Sequence, residues 1–146
     1  RIVSRLGPDP LRRDADPEVA WHRIRRSRAA IGTLLLDQSV IAGVGNIFRS
    51  DVLFSQRIHP DRPSQTISRD EFDRIWDTLR RMLRTGVKYN RIITADPVAV
   101  GKTPGRMTRE ERLLVYKREA CRECGQEIES WRLGARTVYA CRHCQR

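Results

Sequence analysis

Four cysteines in two Cys-x-x-Cys pairs constrain the fold of this chain more than any other feature. Cys121 and Cys124 form the first pair, Cys141 and Cys144 form the second, and sixteen residues separate the two pairs. The chain has no other cysteine. Each pair offers two thiolates from one tight turn, and two such turns supply the tetrahedral sulfur ligation that suits zinc. We therefore predict one structural zinc ion, bound by all four cysteines.

Other uses of these cysteines explain their spacing less well. Two disulfides or a redox dithiol are the alternatives, but neither requires two close pairs. His143 lies inside the second pair and could replace a thiolate, although four thiols already fill the shell. A shell of four sulfurs leaves no position for a catalytic water, and a segment this short needs the metal in order to fold. Thiols that bind a metal also fit a reducing cytoplasm.

The charge of the chain indicates the kind of partner. Its 29 Lys and Arg residues against 18 Asp and Glu give a formal net charge of +11, and only Lys88, Lys102 and Lys117 are lysines. Arginine binds phosphate oxygens in bidentate fashion, so an arginine-rich chain with a zinc module predicts nucleic-acid binding. Codon bias in a GC-rich genome would explain the ratio of arginine to lysine but not the net charge. No apolar run is long enough to span a membrane, and no signal peptide is visible.

Turn signals and hydrophobic periodicity divide the chain into three parts. Residues 1–16 are predicted to be a linker, residues 17–108 a helical domain, and residues 109–146 a four-cysteine zinc finger. Asp16-Pro17-Glu18 predicts a helix start, and that helix is expected to run to about Arg28. Because the chain begins without an initiator methionine, we expect a fragment of a longer protein.

Helical and hairpin patterns fill the second and third parts. Ser68 and Glu71 form a capping box before a stripe of apolar residues at helical spacing, which predicts a long buried helix. Residues 90–108 lack periodicity and contain two prolines and two glycines, so we predict a loop. Between the cysteine pairs, alternating apolar residues predict a β-hairpin that turns near Gly134. The fold class is therefore mainly α, with a small antiparallel hairpin finger.

A glycine turn in front of a predicted helix is the second candidate site. Gly43 and Gly45 permit a tight turn with positive φ, and Asn46 begins the helix that follows. The N-terminus of a helix exposes unpaired amides and the positive end of its dipole, which together favour a phosphate. The same residues could also simply cap the helix.

Several motifs together resemble one known family. They are Leu6-Gly7-Pro8-Asp9-Pro10-Leu11, Leu35-Leu36-Asp37-Gln38, Ala42-Gly43-Val44-Gly45-Asn46-Ile47, Ile58-His59-Pro60 and the segment from Cys121 to Gln145, in that order. The chain resembles the C-terminal half of the formamidopyrimidine-DNA glycosylase / endonuclease VIII family. This resemblance implies a helix–two-turns–helix domain followed by an antiparallel zinc finger. Members of the family excise oxidised bases from DNA and cleave the resulting abasic strand.

The resemblance assigns roles to individual residues. Asn46 matches the family asparagine that holds a backbone phosphate near the lesion, and Arg136 matches the finger arginine that grips the phosphates of the lesion strand. Gly43, Gly45 and Arg49 complete the predicted DNA-binding set. The four cysteines match the zinc ligands, and Gln145 matches the glutamine that ends the family finger.

Two departures indicate the branch of the family. Formamidopyrimidine glycosylases usually carry a lysine where this chain has Gly32 and an alanine where it has Arg49. The sequence around both positions resembles endonuclease VIII, whose branch prefers oxidised pyrimidines. The competing hypothesis is a free-standing nucleic-acid-binding zinc module, either ribosomal or transcription-associated.

The family nucleophile has no counterpart in these residues. It is an N-terminal proline amine followed by glutamate, whereas Pro17-Glu18, the only Pro-Glu pair here, is internal. We assign no catalytic residue and expect the 146 residues alone to bind damaged duplex DNA without excising a base. Activity would require the N-terminal catalytic domain of the family. We further expect a monomer that is associated with the nucleoid in the bacterial cytoplasm.

Overall fold

The computed structural model describes residues 6–146 as a set of helices followed by a two-stranded hairpin. The helices are α1 (Pro17–Ile24), α2 (Ile31–Leu36), α3 (Asn46–Ser55), α4 (Arg69–Tyr89), α5 (Pro97–Val100) and α6 (Arg109–Arg112), and the strands are β1 (Glu129–Leu133) and β2 (Arg136–Ala140). Short 3-10 turns occupy Ser64–Thr66 and Pro104–Arg106. The predicted fold class is confirmed.

The long helix α4 organises the main core. Its capping box forms as predicted, because the Glu71 amide donates to Ser68 Oγ at 3.1 Å and the Ser68 amide donates to Glu71 Oε1 at 2.8 Å. The apolar stripe of α4 is buried against α1, α2 and α3 in one hydrophobic cluster. Across residues 6–146, none of the helices combines the length and the apolar character that crossing a membrane requires.

Two helical predictions differ in extent from the structure. Helix α1 ends at Ile24, four residues before the predicted end, and a turn follows it at residues 25–26. The backbone after this turn pairs with a distant segment instead of continuing the helix, since Ala30 forms a β-bridge with Pro63. The predicted loop 90–108 contains the one-turn helix α5 and a 3-10 turn. Both begin at a proline, whose fixed φ suits the first position of a helix.

The described part of the predicted linker, residues 6–16, packs against the helical domain. The Gly7 amide donates to Gln38 O at 2.9 Å, and the Ala42 amide donates to Pro8 O at 3.0 Å. A Cβ on Gly7 would lie 2.3 Å from Val40 O, so this close backbone approach requires glycine. Residues 1–5 of the predicted linker lie outside the described residues.

The hairpin belongs to a second, smaller core. Strands β1 and β2 pair antiparallel, with Leu133 opposite Arg136, so the turn consists of Gly134 and Ala135. This turn is where the sequence predicts it, and Gly134 has the positive φ of 72° that favours glycine there. The cluster beneath the hairpin also includes Phe54 from α3. Residues 120–146, here called the finger, therefore pack directly on α3.

Candidate metal centre and nucleic-acid interface

The four cysteines come together at one end of the finger. Their Sγ atoms all lie within 4.8 Å of one another and all four thiols are free. Cys121 and Cys144 are 3.8 Å apart at Sγ, and Cys124 and Cys141 are 3.5 Å apart. A tetrahedron with metal–sulfur bonds of ~2.3 Å has edges of ~3.8 Å, so the cluster has the size and the donor set that a four-coordinate metal requires. The predicted set of metal ligands is therefore assembled in space.

Backbone and side-chain hydrogen bonds shape the second cysteine turn. The Gln145 amide donates to Cys141 O at 2.9 Å, and the Cys141 amide donates to Gln145 Oε1 at 2.8 Å. Gln145 Nε2 donates to Ile58 O at 2.9 Å, which ties this turn to the loop after α3. His143 is exposed and stands outside the sulfur cluster, so four cysteines alone define the site.

The glycine turn before α3 is held by one glutamine. The Gly43 amide donates to Gln38 Oε1 at 2.8 Å, and Gln38 Nε2 donates to Val44 O at 3.0 Å. Gly43 has a φ of 88°, as the sequence predicts, but Gly45 is extended at a φ of −87° and does not need to be glycine for its conformation. A Cβ on Gly43 would lie 3.7 Å from Asp9 Oδ1, which already accepts the Leu11 amide at 2.9 Å.

The first turn of α3 leaves backbone donors free. Within residues 6–146, the N–H groups of Asn46, Ile47 and Phe48 have no protein acceptor, and Gly45 supplies no side-chain cap. Helix α3 has ten residues, so its dipole adds positive potential at this end. The end of the helix can therefore accept an anion such as a phosphate oxygen.

Asn46 joins this helix end to the hairpin. Its Nδ2 donates to Thr137 O at 2.7 Å, across 91 positions of sequence, and the residue is only 6% exposed. Arg136, the residue before Thr137, is exposed on the first position of β2. The structure thus brings together Asn46 and Arg136, which the sequence predicts as DNA contacts.

Arg49 differs from its predicted role as a direct DNA contact. Its side chain is fully buried, and both Nη atoms donate to protein acceptors. Nη1 reaches Gly32 O at 3.1 Å and Leu133 O at 2.5 Å, while Nη2 reaches Asn46 Oδ1 at 2.7 Å and Arg136 O at 3.1 Å. Burial, followed by the charge of Arg136, lowers the pKa of Arg49 to about 10, so the guanidinium is charged at neutral pH. It faces the hairpin turn and not the solvent.

Asp51 makes a second polar contact between α3 and the chain that leads into the finger. It accepts the amides of Leu114, Val115 and Tyr116 at 2.9–3.0 Å and the Thr94 hydroxyl at 2.5 Å. Burial raises the pKa of Asp51, and these four hydrogen bonds oppose the rise. Sequence reasoning missed Asp51, although a charged residue just before the apolar run Val52–Phe54 is a signal of a specific partner.

One family profile matches most of the helical part of the chain. The sequence profile described as the formamidopyrimidine-DNA glycosylase H2TH domain matches residues 6–97, more than half of the chain. The chain belongs to this family. The predicted resemblance is therefore confirmed, and the free-standing ribosomal or transcription-associated module is set aside.

Named relatives match over almost the whole chain. Endonuclease 8 1 of Mycobacterium tuberculosis is 45% identical over 146 residues, which are 99% of this chain and 54% of that protein. The formamidopyrimidine-DNA glycosylase of Photorhabdus laumondii is 35% identical, with the same coverage. The higher identity to the endonuclease 8 protein agrees with the branch that Gly32 and Arg49 indicate.

A solved structure of the family has the same fold. The crystal structure of Lactococcus lactis Fpg in complex with DNA that contains an abasic site has a TM-score of 0.78 to this chain at 27% identity. The match covers 99% of this chain and 52% of that one. The chain thus spans about half the length of its relatives, and corresponds to their C-terminal half.

Proposed function

We propose that these residues form the DNA-binding half of a base-excision-repair enzyme. That enzyme would be a DNA glycosylase and abasic-site lyase that acts on oxidised bases, chiefly pyrimidines. One observation carries the proposal: the free amides of α3 and the exposed Arg136 belong to one hydrogen-bonded unit, joined through Asn46. Damaged duplex DNA is the proposed partner. The DNA-bound Lactococcus lactis Fpg structure, which shares this fold, supports it.

The unit would bind phosphates and not bases. Backbone amides at a helix end and an arginine guanidinium both favour phosphate oxygens, and neither distinguishes one base from another. Gly43 and Gly45 shape the turn that presents those amides, and Asn46 has a second amide hydrogen besides the one donated to Thr137. Binding should therefore be strong at low salt and nearly independent of sequence.

We propose one zinc ion at the cysteine cluster. The spacing of the Sγ atoms and the four-sulfur donor set support zinc, and Cys121, Cys124, Cys141 and Cys144 would hold it. Four sulfur ligands complete the coordination shell, so the ion would fold the finger without binding substrate. Its role in function would be indirect, through the placement of Arg136.

Base excision would need the half of the protein that these residues do not include. We propose that the 146 residues alone are inactive as a glycosylase, that they bind DNA as a monomer, and that the full protein works at the nucleoid in the bacterial cytoplasm. The bacterial origin of the relatives supports the cellular setting, and their greater length supports the need for a further half. We also propose the division into residues 1–16, 17–108 and 109–146, and the two separate cores support the boundary between the last two parts.

Titration of a duplex with the zinc-loaded chain tests the proposed function. We expect log K to fall linearly as log[salt] rises, because each neutralised phosphate releases condensed counterions. Arg136→Ala should reduce the slope by about 1 and weaken binding equally for unrelated sequences. Arg146→Ala, which removes an exposed arginine next to the second cysteine turn, is the matched control. Wild-type affinity that does not change with salt would refute the proposal.

A further inference from the structure

Arg49 connects three parts of the structure through one guanidinium group. Its acceptors are Gly32 O on α2, Asn46 Oδ1 on α3, and the carbonyls of Leu133 and Arg136 on either side of the hairpin turn. The planar fork of arginine carries five N–H donors and can meet four acceptors at once. Lysine has three donors on a single nitrogen and cannot span them.

The electrostatic setting makes Arg49 an unusual core residue. It is fully buried, and none of its four acceptors is a carboxylate. Burying a charge without an opposite charge is costly, and the nearby charge of Arg136 adds repulsion. An apolar side chain would avoid this cost but would leave the four acceptors unpaired. The reason for an arginine here is therefore the set of acceptors that it joins.

The hairpin turn is the part of the finger that Arg49 controls. Carbonyls on both sides of the two-residue turn point at its guanidinium, and a Cβ on Gly134 would lie 3.8 Å from Nη1. Asn46 is held from both ends, since its Oδ1 accepts from Arg49 and its Nδ2 donates to Thr137 O. Arg49 thus links the N-terminus of α3 to both sides of the hairpin turn.

We propose that Arg49 is the positioning residue of the DNA-binding surface. It fixes the hairpin turn against the N-terminus of α3, so that Arg136 and the free amides bind the DNA backbone together without a further loss of conformational freedom. Arg49 itself does not touch DNA. This inference rests on the proposed function, since it assumes that Arg136 contacts a phosphate.

A double-mutant cycle separates positioning from direct contact and from general stability. The variants are Arg49→Lys, Arg136→Ala and the double substitution, each measured for duplex affinity and for the salt slope at equal zinc content. We expect Arg49→Lys to weaken binding by about tenfold in the wild-type background and by no more than about twofold in the Arg136→Ala background. The slope should stay at the wild-type value for Arg49→Lys, because the charge and the phosphate contacts remain.

Two results of the double-mutant cycle would contradict the proposal. Equal losses in both backgrounds would show that Arg49 acts independently of Arg136 and would overturn the proposal, as would a slope reduced by about 1 for Arg49→Lys. Arg84→Lys, which replaces an exposed arginine on α4, is the matched control. It should change neither the duplex affinity nor the salt slope. A wild-type chain that binds no duplex would instead refute the proposed function.

A measurement on the wild-type chain covers the case in which Arg49→Lys does not fold. The side-chain N–H signals of Arg49 should exchange slowly with water in the free protein, because its Nη atoms are buried and hydrogen-bonded. Their chemical shifts should stay nearly constant on addition of duplex DNA, while those of Arg136 move. A large shift of the Arg49 signals would indicate direct contact and overturn the proposal.

Discussion

Gly32 shows how closely α2 approaches the finger and the loop after α3. A Cβ at this position would lie 2.7 Å from Leu133 Cδ2, 3.0 Å from Pro60 Cβ and 3.1 Å from Pro60 O. The leucine can move, but the Pro60 carbonyl accepts the Gly32 amide at 2.9 Å and cannot retreat without losing that bond. We expect Gly32→Ala to lower the free energy of unfolding by about 1–2 kcal/mol, measured by chemical denaturation.

Gly105→Ala is the matched control for this substitution. A Cβ on Gly105 would meet no atom within 4 Å, and its φ is not positive. The free energy of unfolding of the Gly105→Ala variant should stay the same or rise by less than about 1 kcal/mol, because alanine restricts the unfolded chain. Equal destabilisation by both substitutions would contradict the packing seen at Gly32.

Asp51 is expected to contribute more to stability than any exposed acid. Asp51→Asn would place an amide group where four donors point, so at least one donor would lose its acceptor inside the protein. We expect a loss of about 3 kcal/mol in the free energy of unfolding, together with faster hydrogen exchange at Leu114–Tyr116. Asp77→Asn, an exposed acid on α4, should cost less than about 0.5 kcal/mol. Similar losses for the two variants would disprove the role of Asp51.

At the scale of residues, sequence predicts side chains whose chemistry is local. The clustering of the four cysteines follows from their spacing alone, while the DNA contacts proposed for Asn46 and Arg136 come from motif resemblance and stay predictions. The burial of Arg49 could not be predicted, because its acceptors Leu133 and Arg136 lie more than 80 positions away. Sequence alone predicts that an arginine on an amphipathic helix is exposed. Only the structure shows that the hairpin covers this one.

Among the elements, α3 does most to orient the finger. Asn46, Arg49 and Asp51 each hydrogen-bond to backbone atoms of the finger or its lead-in, and the Tyr139 amide donates to Ser50 Oγ at 3.3 Å. Contacts to backbone atoms fix position without depending on the side chains of the partner. One face of α3 thus holds the hairpin in a fixed position.

The sequence predicts elements better than it predicts their contacts. Helix α4 follows from its capping box and apolar stripe, since both signals lie within the element. The packing of residues 6–16 could not be predicted. Gly7 and Pro8 form hydrogen bonds with Gln38 and Ala42 through backbone atoms, and every residue type offers the same backbone carbonyl. The pairing that follows α1 could not be predicted either, because Ala30 forms a β-bridge with the distant Pro63.

Removal of the metal should affect the finger and the helices differently. The core of the finger is built around the cysteines, whereas the cluster around α4 contains no cysteine. With a strong chelator, we expect amides of residues 120–146 to exchange rapidly while those of α4 stay protected, as followed by hydrogen exchange. His143→Ala should keep one zinc per chain, and Cys124→Ser should lose it. Full zinc content in Cys124→Ser would contradict the assigned site.

The charge of the whole molecule fits the proposed role in DNA binding. Its net charge of +11 supplies a long-range attraction to nucleic acid, and the unit of α3 and the hairpin concentrates the donors at one place. Net charge and family could be predicted from the sequence, while the class of partner and the division into domains stay predictions. The alignment of the two cores could not, because it depends on buried polar contacts between distant segments.

Borohydride trapping tests whether the 146 residues bind DNA without catalysing base excision. We expect the 146-residue chain to form no covalent adduct at an enzyme-like rate on duplex DNA with an oxidised pyrimidine, since the family reaction uses an N-terminal proline amine that attacks the sugar. Slow reaction on abasic DNA is compatible with this, because any basic amine promotes β-elimination weakly. In the full-length protein, Arg136→Ala should reduce trapping through weaker binding and should recover toward the wild-type rate at saturating enzyme. Rapid trapping of the intact damaged base by the 146-residue chain would show that it carries a nucleophile of its own.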